Sequence, residues 1–181
     1  MKLSFFIVAI LFSVALVAQP KSADEVLNKA YAQAKKENKN VILIFHASWC
    51  GWCKKMDASL QDEKCKPFFD KNYVIVHLTV EESKENKKLE NPGADAVKIK
   101  YHGDKAGLPF WVILDKDGKL LGDSFMRKEG VSMDEAGDNI GCPASDDEVS
   151  AFVVLLKRTS PINAEETNII IKRFKENKAK S

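Results

Sequence analysis

Four cysteines carry most of the reactive chemistry of this 181-residue sequence, and two of them form a Cys-x-x-Cys pair. Cys50 and Cys53 flank Gly51 and Trp52, and the pair follows the apolar run Val41–Phe45. A helix that begins at this pair would place unpaired N–H groups and the positive end of its dipole beside the first cysteine, which favours thiolate over thiol. Cys53 would lie one turn along, where it can attack a mixed disulfide formed at Cys50. The spacing therefore predicts thiol–disulfide exchange, with Cys50 as the nucleophile and Cys53 as the resolving thiol.

The same pair is compatible with two structural roles. A zinc site would need further ligands, such as Cys65 and His46. However, Cys65 is expected at the far end of the helix that begins at Cys50, roughly 18 Å beyond Cys53, which is too far for one metal ion. A purely structural disulfide would close only a short loop and would stabilise the fold little. Both roles stay open as alternatives to exchange chemistry.

The sequence leaves the roles of the other two cysteines and of one histidine open. Cys65 is interpreted as a small buried hydrophobic residue. Two options for Cys142 are a disulfide with Cys65 and a free, exposed thiol. His46 follows the predicted strand and is expected near Cys50, where it either supplies a positive charge that favours thiolate or packs below the pair.

Hydrophobic periodicity predicts an α/β fold in which helices alternate with strands. Ser22 and Glu25 form a capping-box pattern at the first helix. In chain order, the pattern predicts a helix from residue 22, a strand at 41–45, a helix from 50, a strand at 73–80, a short helix that ends near 101, a hairpin at 110–122 and helices at 146–157 and 164–176. Residues 124–145 show no clear period and predict a long loop or irregular insertion.

The first 18 residues predict a secretory signal peptide. Lys2 is followed by the uncharged, mostly apolar run Leu3–Ala18 and then by polar sequence. Because this run is shorter than the roughly 20 residues that span a bilayer, we expect cleavage after Ala18 and no stable membrane anchor. The alternatives are cleavage at Ala15 and an uncleaved anchor. The mature domain, residues 19–181, is therefore expected to be exported, to the periplasm or as a secreted protein, where disulfides persist.

The amino-acid composition indicates a folded domain and argues against nucleic acid as its binding partner. The chain is 45% hydrophobic and 30% charged, as expected for one folded domain rather than a disordered chain. Its 28 basic and 26 acidic residues give a net charge of +2, without the concentrated basic excess of a protein that binds nucleic acid. Four cysteines are too few for a disulfide scaffold in a chain of this size. No cofactor is predicted, and the predicted substrates are protein thiols or disulfides.

Two segments resemble the thioredoxin superfamily. The run Phe45-His-Ala-Ser-Trp-Cys-Gly-Trp-Cys-Lys-Lys-Met56 is similar to that family's active-site segment, and Gly107-Leu-Pro-Phe110 is similar to the segment that carries its cis-proline. The resemblance, closest to exported bacterial thioredoxin-like proteins, implies a thioredoxin fold. That fold would have a central mixed sheet flanked by helices, an insertion before the penultimate helix and an extra C-terminal helix. It also implies that Pro109 is cis and that Leu108 offers its backbone to a bound peptide strand.

One position departs from the family pattern. Thioredoxins bury an aspartate six residues before the first cysteine, and Ile44 occupies that position here. The proton of Cys53 must therefore pass to water or to another group. Asp57, four residues after Cys53, is interpreted as a solvated surface acid rather than as that group.

These observations predict a thiol–disulfide oxidoreductase of the protein-disulfide reductase type, which exchanges electrons with an unidentified donor or acceptor. The dipeptide between the cysteines holds no histidine to stabilise the reduced thiolate, which favours a reductant over an oxidant. The predicted substrate-binding residues are Trp49, Gly51, Trp52, Leu108 and Pro109. The alternative is a thioredoxin-fold adaptor or chaperone that binds unfolded chains on the surface formed by Trp49, Trp52 and Pro109, with non-catalytic cysteines.

Overall fold

A computed structural model describes residues 19–128 and 130–179 of the chain. The predicted signal peptide, residues 1–18, lies outside the described residues. The elements are α1 (Ala23–Glu37), β1 (Asn40–His46), α2 (Gly51–Leu60), α3 (Lys66–Asn72), β2 (Tyr73–Thr79), a 3-10 helix (Lys84–Leu89), α4 (Ala94–Lys100), β3 (Phe110–Leu114), β4 (Leu120–Asp123), β5 (Phe125–Met126), β6 (Asp138–Asn139), α5 (Asp146–Thr159) and α6 (Ala164–Ala179). Within the described ranges, no helix is both long and apolar enough to cross a membrane.

Strands β1 to β4 form a mixed sheet in the order β2-β1-β3-β4. β1 runs parallel to β2 and antiparallel to β3, and β3 forms a hairpin with β4. His46 of β1 lies beside Thr79 of β2, and Phe45 lies beside Phe110 of β3. The carboxyl ends of β1 and β2 and the amino end of β3 therefore meet at one edge of the sheet. The segments attached to these three ends carry the candidate site.

Helices cover both faces of the sheet. β1 is buried along its length except at its two ends, as its continuous apolar pattern predicts. Val41, Leu43 and Phe45 join a core cluster with α1 and α4. Ile42 and Ile44 join a second cluster with α2, α3, α5 and α6. The predicted mixed sheet with flanking helices, including a C-terminal helix, is confirmed.

The starts of α1 and α5 are fixed by capping boxes. The Glu25 backbone N–H donates to the Ser22 hydroxyl at 3.2 Å, and the Ser22 N–H donates to the Glu25 carboxylate at 2.8 Å, as predicted. Ser145 and Glu148 repeat the arrangement at α5. Each box pairs backbone N–H groups that a helix start would otherwise leave unpaired.

The expectation that Cys65 lies at the end of the helix that follows Cys50 is wrong. α2 ends at Leu60, and Cys65 is the N-cap of a separate helix, α3. Pro67 disfavours one continuous helix through residues 63–67, because proline lacks the N–H that would continue a helix and its ring collides with the carbonyl four residues earlier. Proline is accepted in the first turn of α3, where N–H groups have no helical partner.

The 124–145 segment lies between β4 and α5 and is less irregular than its sequence predicts. Residues 125–126 pair with residues 138–139 in an antiparallel ladder. Ser124 attaches this ladder to the main sheet, since its backbone N–H donates to the carbonyl of Trp111 in β3 at 2.9 Å.

Candidate active site

Cys50 and Cys53 form a disulfide where β1 leads into α2. Their sulfur atoms are 2.01 Å apart and their Cα atoms 5.3 Å apart. Cys50 is the N-cap of α2, and its Sγ accepts a hydrogen bond from the backbone N–H of Cys53 at 3.1 Å. Exposure does not distinguish the two residues, which are 3% and 2% exposed. The N-cap position does, because the N–H groups and dipole of α2 stabilise negative charge on Cys50.

The peptide bond between Leu108 and Pro109 is cis, as the resemblance implies. The Leu108 side chain packs against the cluster formed by Ala47, Cys50 and Cys53. Neither the N–H nor the carbonyl of Leu108 has a hydrogen-bond partner among the residues that the structure describes. An extended polypeptide would therefore find two free backbone groups beside the disulfide.

Each cysteine of the pair directly follows an exposed tryptophan in the sequence, Trp49 before Cys50 and Trp52 before Cys53. Trp49 is 57% exposed and Trp52 is 41% exposed. The Trp49 Nε1–H donates to the Glu81 carbonyl at 2.8 Å, and Lys55 Nζ lies 4.1 Å from the Trp52 ring centroid. Gly51, expected to keep the turn uncrowded, has no heavy atom within 4 Å of the point where a Cβ would lie, so the space it leaves is open surface.

A buried carboxylate that the local sequence pattern does not reveal holds the chain just before the disulfide. Glu82 follows β2 and is 5% exposed. Its carboxylate accepts hydrogen bonds from the backbone N–H of Ser48 and, at 2.7 Å, from the Ser48 hydroxyl. Lys98, which is 2% exposed, joins the Glu81 carboxylate to the Ala106 carbonyl, the latter at 2.8 Å. These contacts fix the segments that border the disulfide.

The order of the strands in the sheet is the signal that would place Glu81 and Glu82 near the disulfide. Glu81 and Glu82 directly follow the strand predicted at 73–80. Because parallel neighbours end at the same edge of a sheet, polar residues after β2 lie beside the residues that follow β1. The sequence pattern does not say which strands are parallel neighbours, so this signal can be used only after the fold is assigned.

His46, His77 and Asp57 form a polar cluster between the sheet and α2. The two imidazole rings are 5.0 Å apart, and His77 Nε2 lies 2.8 Å from Asp57 Oδ1. His46 Nε2 lies 3.1 Å from the Thr79 hydroxyl. The interpretation of Asp57 as a solvated acid is therefore wrong in part, because its half-exposed side chain is paired with His77.

Burial sets the charge of His46. It lowers the pKa of His46 below its usual 6.5, and the neighbouring His77 adds to this effect, whereas Asp57 and Glu82 oppose it. His46 is therefore mostly neutral at pH 7 and does not supply a positive charge there. Of the two roles expected from the sequence, packing beside the strand end fits this residue.

A thioredoxin-like family model matches residues 23–116, more than half of the chain. The chain belongs to the thioredoxin-like family. No curated protein shows significant similarity to the chain. Among solved structures, the disulphide isomerase from Xylella fastidiosa Temecula1 is 24% identical with a TM-score of 0.52, and the match covers 84% of this chain and 100% of that chain. The C-terminal domain of Neisseria meningitidis DsbD, in its oxidised form, is 17% identical with a TM-score of 0.45, over 79% of this chain and 100% of that chain.

The other two cysteines of this thioredoxin-like domain are buried free thiols. Both options raised for Cys142, a disulfide with Cys65 and an exposed thiol, are therefore wrong. Cys142 Sγ accepts a hydrogen bond from the Asn177 side chain at 3.3 Å. Burial raises the pKa of Cys65 to about 11 and that of Cys142 to about 12. Both thiols are protonated at neutral pH and act as small core residues.

The zinc-site alternative requires Cys65 and His46 beside the cysteine pair. Cys65 instead packs in the larger core cluster, apart from the cluster that holds Cys50 and Cys53. In residues 19–128 and 130–179, no group of three or more His, Cys, Asp or Glu side chains is placed to hold a metal ion. The ligands suggested by the sequence therefore do not meet at one site of the thioredoxin-like domain.

Proposed function

We propose that this protein is a thiol–disulfide oxidoreductase that reduces protein disulfides. The observation that carries the proposal is the position of Cys50, which caps α2, is bonded to Cys53 and packs against Leu108. The helix stabilises a thiolate at this position, and the resolving cysteine is already within bonding distance. Exposed Trp49 and Trp52 add apolar surface on which a substrate chain can lie.

The proposed reaction consists of two exchanges. The Cys50 thiolate attacks one sulfur of the substrate disulfide, which breaks that S–S bond and releases one substrate thiolate to take up a proton. The deprotonated Cys53 then attacks Sγ of Cys50 in the mixed disulfide. This second step releases the other substrate thiolate and forms the Cys50–Cys53 disulfide seen in the structure. Two electrons pass from the pair to the substrate, and an external dithiol must return them.

The residues around Cys50 support reduction rather than oxidation. Proteins with this chemistry span potentials from about −270 to −120 mV, and the oxidising ones stabilise the reduced thiolate most strongly. The intervening Gly51-Trp52 holds no histidine, and the lowered pKa of His46 leaves that residue mostly neutral. Equilibration with glutathione measures the potential, and a value near −120 mV would contradict a reductant.

We also propose that the protein is exported, to the periplasm or as a secreted protein. The charged Lys2 and the apolar run Leu3–Ala18 support a signal peptide at residues 1–18 and a mature domain at 19–181. N-terminal sequencing of the exported protein should therefore begin at Gln19. A cytoplasmic product that still begins at Met1 would contradict export.

Insulin reduction tests the proposed activity. With a dithiol donor present, the wild-type protein is expected to reduce insulin, and Cys50→Ser is expected to abolish turnover because the attacking thiol is lost. Cys53→Ser should stop at the mixed disulfide and accumulate it in cells, where the trapped partners identify the substrates. Cys65→Ala, which removes a buried free thiol, should retain activity. Full activity in both Cys50→Ser and Cys53→Ser would overturn the proposal.

The exposed tryptophans also favour a second candidate function, a peptide-binding adaptor or chaperone. Trp49 and Trp52 present exposed apolar surface whether or not the cysteines react. This function predicts that a Cys50→Ser/Cys53→Ser double variant binds unfolded chains as well as the wild type does. It also predicts that Cys53→Ser traps no mixed disulfide, which is the opposite of the result expected for an oxidoreductase.

A further inference from the structure

Asn139, in the 124–145 segment, contacts the loop that carries the cis peptide bond. Its side-chain Nδ2 donates hydrogen bonds to the carbonyls of Gly107, at 2.7 Å, and Pro109, at 3.2 Å. These carbonyls belong to the two residues that flank Leu108. The Asn139 amide therefore binds the residues on both sides of Leu108, whose own backbone groups lie beside the disulfide and are unpaired within the described residues.

The other end of the same amide is anchored toward the main sheet. Asn139 Oδ1 accepts hydrogen bonds from the Ser124 hydroxyl at 2.7 Å and from the Gly141 N–H at 3.2 Å. Ser124 is buried, and its hydroxyl oxygen also accepts the backbone N–H of Trp111 in β3 at 3.2 Å. All four hydrogen-bonding positions of the Asn139 amide are thus occupied, which fixes the direction of its N–H groups.

The backbone after Asn139 turns at Gly141, beside the loop that carries the cis peptide bond. Gly141 has a φ of 53°, a left-handed conformation that glycine adopts without strain. A Cβ at Gly141 would lie 3.5 Å from the Pro109 carbonyl oxygen, an ordinary van der Waals contact, so the positive φ rather than a lack of space favours glycine here. The Trp111 Nε1–H donates to the Gly141 carbonyl at 2.7 Å. Contacts with β3 therefore hold Asn139 in place independently of the loop that it contacts.

We propose that Asn139 is a positioning residue for substrate binding. By occupying the carbonyls of Gly107 and Pro109, it leaves the Leu108 carbonyl as the one free backbone acceptor of residues 107–109, all of which the structure describes. An extended substrate then pairs with Leu108 in a single register, which sets its position relative to Cys50. The inference rests on the proposed function, because it concerns the substrate of the same disulfide.

The experiment compares a polypeptide disulfide with a disulfide too small to pair with Leu108. Asn139→Ala is expected to lower kcat/KM for insulin reduction ~10-fold, the effect of losing two hydrogen bonds. The rate with bis(2-hydroxyethyl) disulfide and the redox potential are expected to stay at wild-type values, because Asn139 makes no contact with the cysteine pair. Asn139→Asp preserves shape but replaces the two donors with an oxygen, and should show the same selective loss.

Two controls separate this effect from charge and from misfolding. Asn168→Asp makes the same substitution on the exposed surface of α6 and should change neither rate. A peptide disulfide N-methylated beside its cysteine tests backbone pairing in the wild-type protein, so the result does not depend on a variant folding. It should be reduced ~10-fold more slowly than its unmethylated parent.

Several results would overturn the inference while the proposed function stands. Equal losses with insulin and the small disulfide, or a shifted redox potential, would mean that Asn139 supports the disulfide itself. Wild-type insulin rates in both Asn139 variants, or equal rates for the methylated and parent peptides, would mean that Leu108 pairing is not used. A wild-type protein that reduces neither disulfide overturns the proposed function, and this inference with it.

Discussion

Ser48 and Glu82 join the carboxyl ends of β1 and β2 beside the disulfide. Both the backbone N–H and the hydroxyl of Ser48 donate to the Glu82 carboxylate, the hydroxyl at 2.7 Å. The contact links residues 34 positions apart in the sequence and is partly shielded from water, since Glu82 is only 5% exposed although Ser48 lies at the surface. It fixes the backbone two residues before Cys50.

Replacement of Glu82 should therefore destabilise the fold at the active site. Glu82→Ala is expected to lower the free energy of unfolding by about 1 to 3 kcal/mol, because it leaves the Ser48 N–H without its partner. Glu82→Gln retains an acceptor oxygen and should lose less. Urea unfolding with the disulfide intact measures both changes. Glu85→Ala, at an exposed position of the 3-10 helix, is the control, and a Glu82→Ala protein no less stable than this control would contradict the prediction.

Lys98 supplies a second connection beside the site. Its ammonium group binds the Glu81 carboxylate and the Ala106 carbonyl. Lys98→Met keeps the buried apolar stem but leaves the carbonyl unpaired, so we expect a loss of about 1 to 3 kcal/mol in the free energy of unfolding. The exposed Lys105→Met variant should be close to wild type in the same measurement. Equal stability of the two variants would show that the buried contacts contribute nothing.

Local sequence signals were sufficient for the elements that hold the cysteine pair. The Ser22 and Glu25 capping box, the buried strand at 41–45 and the helix start at Cys50 each depend on a few neighbouring residues. The same kind of signal failed after Leu60, where α2 ends before it reaches Cys65 and a second, unpredicted helix, α3, begins after Cys65. Residues 61–64 are Gln, Asp, Glu and Lys, so this stretch offers no apolar side chain for the buried face of a longer helix.

Long-range contacts of the site could not be predicted in this way. Asn139 lies in the 124–145 segment, which has no hydrophobic period, and three of its four hydrogen bonds reach residues 15 to 32 positions away, which only the folded chain brings near. Nothing in the local sequence distinguishes Glu82 from other polar residues, because its contact with Ser48 depends on the parallel pairing of β1 and β2. Asp57 likewise becomes a partner of His77 only through the packing of α2 on the sheet.

The buried His46 predicts a loss of stability in mild acid. Burial lowers its pKa in the folded protein below the 6.5 expected for the unfolded chain. Between those two values the unfolded chain binds more protons, so the free energy of unfolding falls as the pH drops below about 6.5. Urea unfolding between pH 7.5 and 5.5 should show this decline in the wild type and a weaker decline in His46→Gln.

The matched control for this pH effect is His102, which is exposed and has a φ of 61°. Asparagine tolerates that backbone conformation, so His102→Asn should keep the wild-type pH dependence. If His46→Gln and the wild type lost stability in parallel, the decline would belong to other groups. If His102→Asn alone flattened the profile, the assignment to His46 would be wrong.

The surroundings of Cys50, Cys65 and Cys142 in the reduced protein predict the order in which these thiols are alkylated. Cys50 at the start of α2 should react first with iodoacetamide at pH 7, because the helix favours its thiolate. Burial raises the pKa of Cys65 to about 11 and that of Cys142 to about 12, so both should remain unmodified while Cys50 reacts to completion. Mass spectrometry of peptides after timed quenching measures the order. As a control, all four cysteines should react at similar rates in urea, since the helix and the core are lost. In the folded protein, alkylation of Cys65 or Cys142 as fast as that of Cys50 would contradict both the helix effect and the burial of the free thiols.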